Sequence, residues 1–201
     1  MMSEGLTVLP ETTIAQVSAR DRLVLAAARL FCRFGINAIG VDAVVMEAGT
    51  AKATLYKAFG SKEKLVEAVL EREGRLWRDW FIAGLDAGDV PAVERLRRIF
   101  PLLEDWFGQD RFYGCPFINA IGEHDKADNR LREITMEHKK TVLERIEDLA
   151  AQAGSRDPAR LAHKIGLLID GAIVVAMISR DPAVARLAAE TAEGLLQPLA
   201  A

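Results

Sequence analysis

The stretch TAKATLYKAFGSKEKL, residues 50–65, sets two lysines and a tyrosine among small residues, then restarts after a glycine with two more lysines. Wound as a helix at about 100° per residue, Ala51, Leu55 and Ala58 gather on one side, with Phe59 at its edge. Lys52, Ala53, Tyr56 and Lys57 gather on the other, and Thr50 and Thr54 lie beside them. One face is apolar enough to be buried. The opposite face offers two cations, a phenol and a methyl, and its small side chains let the backbone come close to another molecule.

Upstream, residues 18–34 place Leu23, Ala27, Leu30, Phe31 and Phe34 on one helical stripe that Gly35 ends. Residues 41–48 repeat the pattern with Val41, Val44, Val45 and Ala48, and Gly49 supplies the left-handed stop. Thr50 is placed to cap the third helix, which ends at Gly60. Ser61 is placed to cap a long fourth helix with the stripe Leu65, Val69, Leu76, Trp77, Trp80 and Phe81. A short helix, a glycine turn and a second short helix with an exposed basic face form the helix-turn-helix layout, whose second helix enters the DNA major groove.

Charge agrees with that layout. The chain as a whole is net −3, which gives no global sign of a polyanionic partner. Residues 18–64 nevertheless hold eight Lys and Arg against four acids, a local +4 that leaves −7 outside. Lys62 and Lys64 fall in the first turn of the fourth helix, where the helix dipole disfavours a cation by about 0.3–1 kcal/mol. Their position makes sense if a phosphate docks at that helix start.

The remaining sequence is helical in period, with helices expected at 91–107 (kinked at Pro101), 116–123, 129–153, 158–179 and 182–196, and a loop at 108–114. In both Asp157-Pro158 and Asp181-Pro182 the aspartate reads as N-cap and the proline as first helical residue. The reading is therefore all-α: a polar arm over 1–17, a helix-turn-helix unit over 18–64 and a larger helical part over 65–201. Its 201 residues suffice for a sizeable core.

Several function classes drop out. Two cysteines make neither a disulfide framework nor a metal cluster. The start MMSEGLTVLPETTIAQ has no signal-peptide pattern, and the apolar run 166–178 is short for a bilayer and broken by Asp170, so a cytoplasmic protein without a membrane partner is expected. His124, His138 and His163 lack HxxxH or HExxH spacing, and neither a nucleophile elbow nor a phosphate-binding glycine loop occurs. No catalytic residue, metal or cofactor is assigned. Cys115, before Pro116, has two readings, a redox thiol or a small packed residue, and the second is preferred. Trp77, Trp80, Phe81, Trp106, Phe107, Phe112, Tyr113 and Phe117 serve a core or wall an apolar pocket, and the residues alone leave both open. Gly171, Val174, Val175 and Ile178, then Leu187, Thr191 and Leu195, make the last two helices apolar enough to suggest a partner face, a pair from each subunit forming a four-helix interface.

RLVLAAARLFCRFGINAIGVDAVVMEAGTAKATLYKAFGSKEKLVEAVL, residues 22–70, resembles the DNA-binding domain of TetR-family transcriptional regulators. The shared pattern is LF-x-x-F-G, the A-G turn, A-T-L-Y-x-x-F and S-K-E-x-L. GCPFINAIGE (114–123) and LIDGAIVVA (168–176) extend the likeness more loosely. The resemblance implies that the third helix reads an operator and that Tyr56 and Lys62 hold phosphates. It also implies a homodimer and a small-molecule inducer among the middle helices, near Trp77, Trp80, Phe81, Trp106 and Phe117, with Asn119, His124 and His138 as orienting polar groups. Ile39-Gly40 stands where Thr-Ser often begins the second helix, and Ala51 where Ser is frequent. The expected function is a ligand-responsive regulator, a repressor, binding a palindromic operator as a dimer. The alternative is a helical small-molecule-binding module that no longer binds DNA, and an enzyme ranks third.

Overall fold

A computed structural model describes residues 17–125 and 129–199, so the expected arm over 1–17 lies, Val17 apart, outside the described residues. Among those residues the elements are helices and no strand occurs: α1 Ala19–Phe34, α2 Val41–Glu47, α3 Lys52–Phe59, α4 Lys62–Asp86, α5 Ala92–Arg97, α6 Ile99–Phe107, α7 Pro116–Glu123, α8 Asn129–Gln152, α9 Pro158–Ser179 and α10 Val184–Leu196. A single 3-10 turn follows at 197–199. The chain gathers into two compact units. One takes the described residues to Trp77 together with Pro116–Thr135, the other Arg78–Cys115 and the residues from Met136 onward. The first thus reaches beyond 18–64, taking the start of α4 and all of α7. Helices α4 and α8 each contribute to both.

In the first unit α1 packs on α2 and α3, and α2 on α3. Leu23, Ala27 and Phe31 of α1 are buried with Val44, Ala48, Leu55 and Leu65. Burying a leucine such as Leu55 stabilises by about 1.5–3 kcal/mol. Ser18 caps α1, its Oγ accepting from the Asp21 N–H at 3.2 Å. Arg22 Nε donates to the Ala48 carbonyl at 3.1 Å, tying α1 to the end of α2. Gly49 then turns the chain at φ 58°, a left-handed conformation costly for residues with a Cβ. Phe34, assigned to the buried stripe, is 52% exposed: it ends α1 and carries the Arg33 guanidinium 4.9 Å over its ring.

The second unit packs α10 on α5, α6 and α9, and α6 on α9. Trp106, Phe107 and Phe112 cluster, with Trp106 and Phe112 edge-on at 5.0 Å. Gly166 admits Leu143: a Cβ there would lie 2.7 Å from its Cδ2. Asp157 caps α9, its Oδ1 accepting from the Arg160 N–H at 3.1 Å, with Pro158 opening the helix.

Several expected boundaries shift. The break around Pro101 falls at Arg98, between α5 and α6. Proline has no N–H for the carbonyl four residues back and its ring crowds that carbonyl, so α5 stops at Arg97. Helix α10 begins at Val184, and Asp181 Oδ1 accepts from the Ala183 N–H at 2.9 Å, forming a local turn instead of an N-cap. The 166–178 run belongs to a 22-residue helix that is long and apolar enough, by length and composition, to cross a membrane. In the second unit that helix buries Leu161, Ile165, Ile169 and Ile173, and its Asp170 pairs with Lys139 of α8.

Candidate nucleic-acid interface

Helix α3 is anchored by Leu55, which is fully buried. Around the helix from it, Lys52, Ala53 and Lys57 are exposed, Tyr56 is 45% exposed, and Thr54 is half-buried. The structure therefore brings Lys52, Ala53, Tyr56 and Lys57 onto one open face. Two neighbours behave differently from expectation. Ala51, placed on the buried side, is exposed, because it is the N-cap of α3 and not its first helical residue. Thr50, placed as the cap, sits one residue too early: its N–H donates to the Val45 carbonyl at 3.0 Å, while its Oγ1 is buried without a hydrogen-bond partner. Helices α2 and α3 thus open at Gly40 and Ala51 with no side-chain cap.

The face is not uniformly cationic. Lys52 Nζ lies 2.9 Å from Asp42 Oδ1, and the hydrogen bond and charge of Asp42 raise its pKa. Arg29 pairs with Glu47 at 2.9 Å, and Lys64 with Glu67 at 2.8 Å. Glu67 also accepts from Arg130 at 3.1 Å, and these two partners hold its pKa low against the opposing effect of its burial. Lys57 is exposed on the same face and, unlike Lys52, has no ion pair among the described residues, which leaves it open to a phosphate. Lys62 is half-buried. Its Nζ donates to the Ile36 carbonyl at 2.6 Å and lies 5.8 Å from the Phe31 ring centre. At the start of α4, Ser61 Oγ accepts from the Lys64 N–H at 3.2 Å, the cap expected from the sequence.

Sequence reasoning missed a contact on the α1–α2 loop. Glu123, the last residue of α7, accepts the Asn37 backbone N–H at 2.8 Å, and the Asn37 side-chain amide donates to the Glu123 carbonyl at 2.7 Å. No local rule joins residues 86 positions apart; the visible signal was only that Glu123 closes GCPFINAIGE. Beside this contact lies a small, partly open cleft whose walls include Phe31, Cys32, Val66, Asn119 and Glu123. Of the residues named for an effector, Asn119 lines that cleft and the other seven do not.

Those seven are divided between the units. Trp77, Phe117 and His124 belong to the first unit, and Trp80, Phe81, Trp106 and His138 to the second. Trp77, Phe81, Trp106, Phe117 and His138 are buried, while Trp80 and His124 are half-buried. His138 Nδ1 is 3.0 Å from Arg78 Nη1. Burial, reinforced by the charges of Arg78 and Lys139, pushes its pKa down to about 3, so the ring is neutral and accepts from the guanidinium through Nδ1. Cys115 is buried, in line with packing. On the last two helices Gly171 and Thr191 are exposed, Val174 and Leu195 half-buried, and Val175, Ile178 and Leu187 are 49%, 74% and 65% exposed.

A helix-turn-helix with an open basic face, joined to a larger helical part, matches two family models: bacterial regulatory proteins of the tetR family over residues 23–69, and the tetracyclin repressor-like C-terminal domain over 92–192. The chain belongs to the TetR family. A solved TetR-family transcriptional regulator from Streptomyces coelicolor superposes with a TM-score of 0.82 at 29% identity, covering 91% of this chain and 96% of that one. The transcriptional activator FasR of Mycolicibacterium smegmatis is 27% identical over 80% of this chain and 69% of its own. The transcriptional repressor KstR2 of the same organism is 35% identical over 45% and 44%. The protein is a DNA-binding transcriptional regulator of the TetR family, a family of non-enzymatic regulators.

Proposed function

We propose that this TetR-family protein is a cytoplasmic, ligand-responsive repressor that binds a palindromic operator as a homodimer. The observation that carries the reading is the face of α3: Lys52, Ala53, Tyr56 and Lys57 exposed on a helix fixed by fully buried Leu55. Such a face enters a major groove with Ala53 allowing close approach, Lys57 and Lys52 meeting phosphates and Tyr56 adding a hydroxyl donor. Thr50 and Thr54 border it. An ammonium carries three N–H donors, so Lys62 serves a phosphate while one N–H stays on Ile36.

The dimer forms through α9 and α10, where exposed Val175 and Ile178 share a helical stripe with Gly171 and Val174, and exposed Leu187 shares one with Thr191 and Leu195. Two symmetric readers require a two-fold operator. The effector is a small molecule, with Asn119, on the cleft beside Glu123, among its polar partners. Helix α4 runs without interruption from Lys62 to Asp86, and it is the element on which both an effector and an operator are proposed to act. Repression is the sign proposed, as in the name of KstR2; FasR, named an activator, sets the opposing outcome.

In vitro selection of the operator with the intact protein tests the reading, followed by a salt-dependent gel shift and a promoter reporter. The expected site is palindromic, and the reporter is silenced. An effector bound by the protein must be weakened by operator to the same factor by which it weakens operator. A protein that enriches no sequence is instead the helical ligand-binding module.

A further inference from the structure

The geometry points to Glu123 as a positioning residue for DNA reading, acting through the α1–α2 loop and touching no DNA itself. This inference rests on the proposal that α3 reads the operator. The loop at 35–40 decides where α2 starts, and α2 in turn packs on α3. It is a short turn at 36–38 with Ile36 buried, and α2 opens at Gly40 without a side-chain cap. Hydrogen bonds from outside the loop add to that anchor and fix its polar side. The Glu123 carboxylate takes the Asn37 N–H at 2.8 Å, the Asn37 amide returns a hydrogen bond to the Glu123 carbonyl at 2.7 Å, and Lys62 Nζ holds the adjacent Ile36 carbonyl at 2.6 Å.

Gly35 shows how close the approach is. Its φ is +89°, and a Cβ built on it would meet both Glu123 carboxylate oxygens at 3.1 Å. The loop is therefore gripped from two sides, by the last residue of α7 and the first of α4. A carboxylate beside a DNA-reading surface repels phosphate, so electrostatics alone predicts that removing it tightens binding. A positioning role predicts the reverse. Two opposite signs for one substitution make the inference testable.

The experiment measures affinity of the full-length protein for its selected operator across a salt series, using Glu123→Ala and Glu123→Gln. Both remove the same charge, but only Gln keeps an oxygen acceptor at the original reach. Glu123→Ala should bind about five- to tenfold more weakly, the loss of one exposed, solvent-screened hydrogen bond. Its salt slope should equal that of the unaltered protein, because no phosphate contact is lost. Glu123→Gln should recover affinity to within about twofold. Asn37→Ala, an exposed site that removes the reciprocal bond, should weaken binding in the same direction and replaces Glu123→Ala if that variant does not fold. Equal affinity of Glu123→Ala and the unaltered protein overturns the role, as do tighter binding or equal losses in Ala and Gln. An unaltered protein that binds no operator overturns the DNA-reading proposal and this role with it.

Discussion

Helices α3 and α9 each bury one side and leave the other open, and the two open sides have opposite chemistry. On α3 the open residues are Lys52, Ala53, Tyr56 and Lys57. On α9 they include Leu167, Val175 and Ile178, the last 74% exposed. A hydrated, charged face is stable in water by itself and gains from a polyanion by releasing counterions, so its contacts weaken with salt. An apolar face gains by leaving water, a gain that salt does not remove. The helix starts differ in the same sense: α9 is capped by Asp157 and opened by Pro158, whereas α3 has no side-chain cap. One helix is finished as a structural element; the other starts with no side chain on its first-turn N–H groups.

The apolar side of this contrast is tested hardest by Ile178→Asp. The residue is exposed in the protomer, so the fold should survive. Burial of an unpaired carboxylate at a dimer interface should cost about 3–5 kcal/mol. Sedimentation should show monomers at concentrations where the unaltered protein is dimeric, at low and high salt alike. An unchanged dimer would move the interface off α9.

Acid should act next, and through the second unit. His138 has its pKa pushed down to about 3 by burial, from an ordinary 6.5, with the half-buried Arg78 as its charged neighbour. Above pH 6.5 the ring is neutral folded or unfolded. Below it the unfolded chain takes a proton that the folded one refuses, so stability falls by up to about 1.4 kcal/mol per pH unit. From pH 6.5 to 5 the expected loss is about 2 kcal/mol. Glu73, whose pKa is raised by burial, works in the opposite direction as it protonates in the folded state. His138→Gln, whose amide oxygen can accept from Arg78, should flatten the denaturant-midpoint profile in that window. A profile as steep as before would assign the acid sensitivity elsewhere.

On α3 the expected effects are smaller. Lys52→Ala should weaken operator binding about tenfold or less, because Lys52 already shares its charge with Asp42 at 2.9 Å. Asp42→Asn should tighten binding several-fold and steepen its salt dependence by releasing that lysine. If Lys52→Ala alters binding to the same degree in an Asp42→Asn background, the pair is not what limits the lysine.

These contrasts show what a sequence carries. Period and punctuation placed α1–α3, because Gly35, Gly49 and Gly60 all adopt positive φ at the joints where the apolar stripes end. They also placed the open face of α3, since helical geometry alone puts Lys52, Tyr56 and Lys57 opposite Leu55. Caps were less legible: Thr50 is a better cap by type than Ala51, yet the turn takes its N–H to Val45 and leaves Ala51 in the extended N-cap conformation. Contacts far apart in sequence were not legible at all. Glu123 and Asn37 meet because α7 joins the first unit, and nothing local to either residue encodes that meeting.

The smallest effect bears on the helix starts. Ala51 has φ −96° and ψ 152°, the extended backbone that an N-cap requires, so serine fits there without strain. In this protein Ser18, Ser61 and Asp157 each accept from the N–H three residues on, at 3.2, 3.2 and 3.1 Å. A serine at 51 would do the same with the Thr54 N–H, which already makes a 2.9 Å bond to the Ala51 carbonyl. Sharing that donor puts the gain at the lower end of the usual capping range, about 0.5–1 kcal/mol. Ala51→Ser should therefore raise the thermal midpoint by a few degrees. Its effect on operator affinity then decides what the uncapped start is for. If a phosphate uses those N–H groups, an internal cap competes with it, and binding weakens while stability rises. If stability rises and affinity holds, the open start of α3 is not a phosphate site, and its contrast with α9 is one of stability alone.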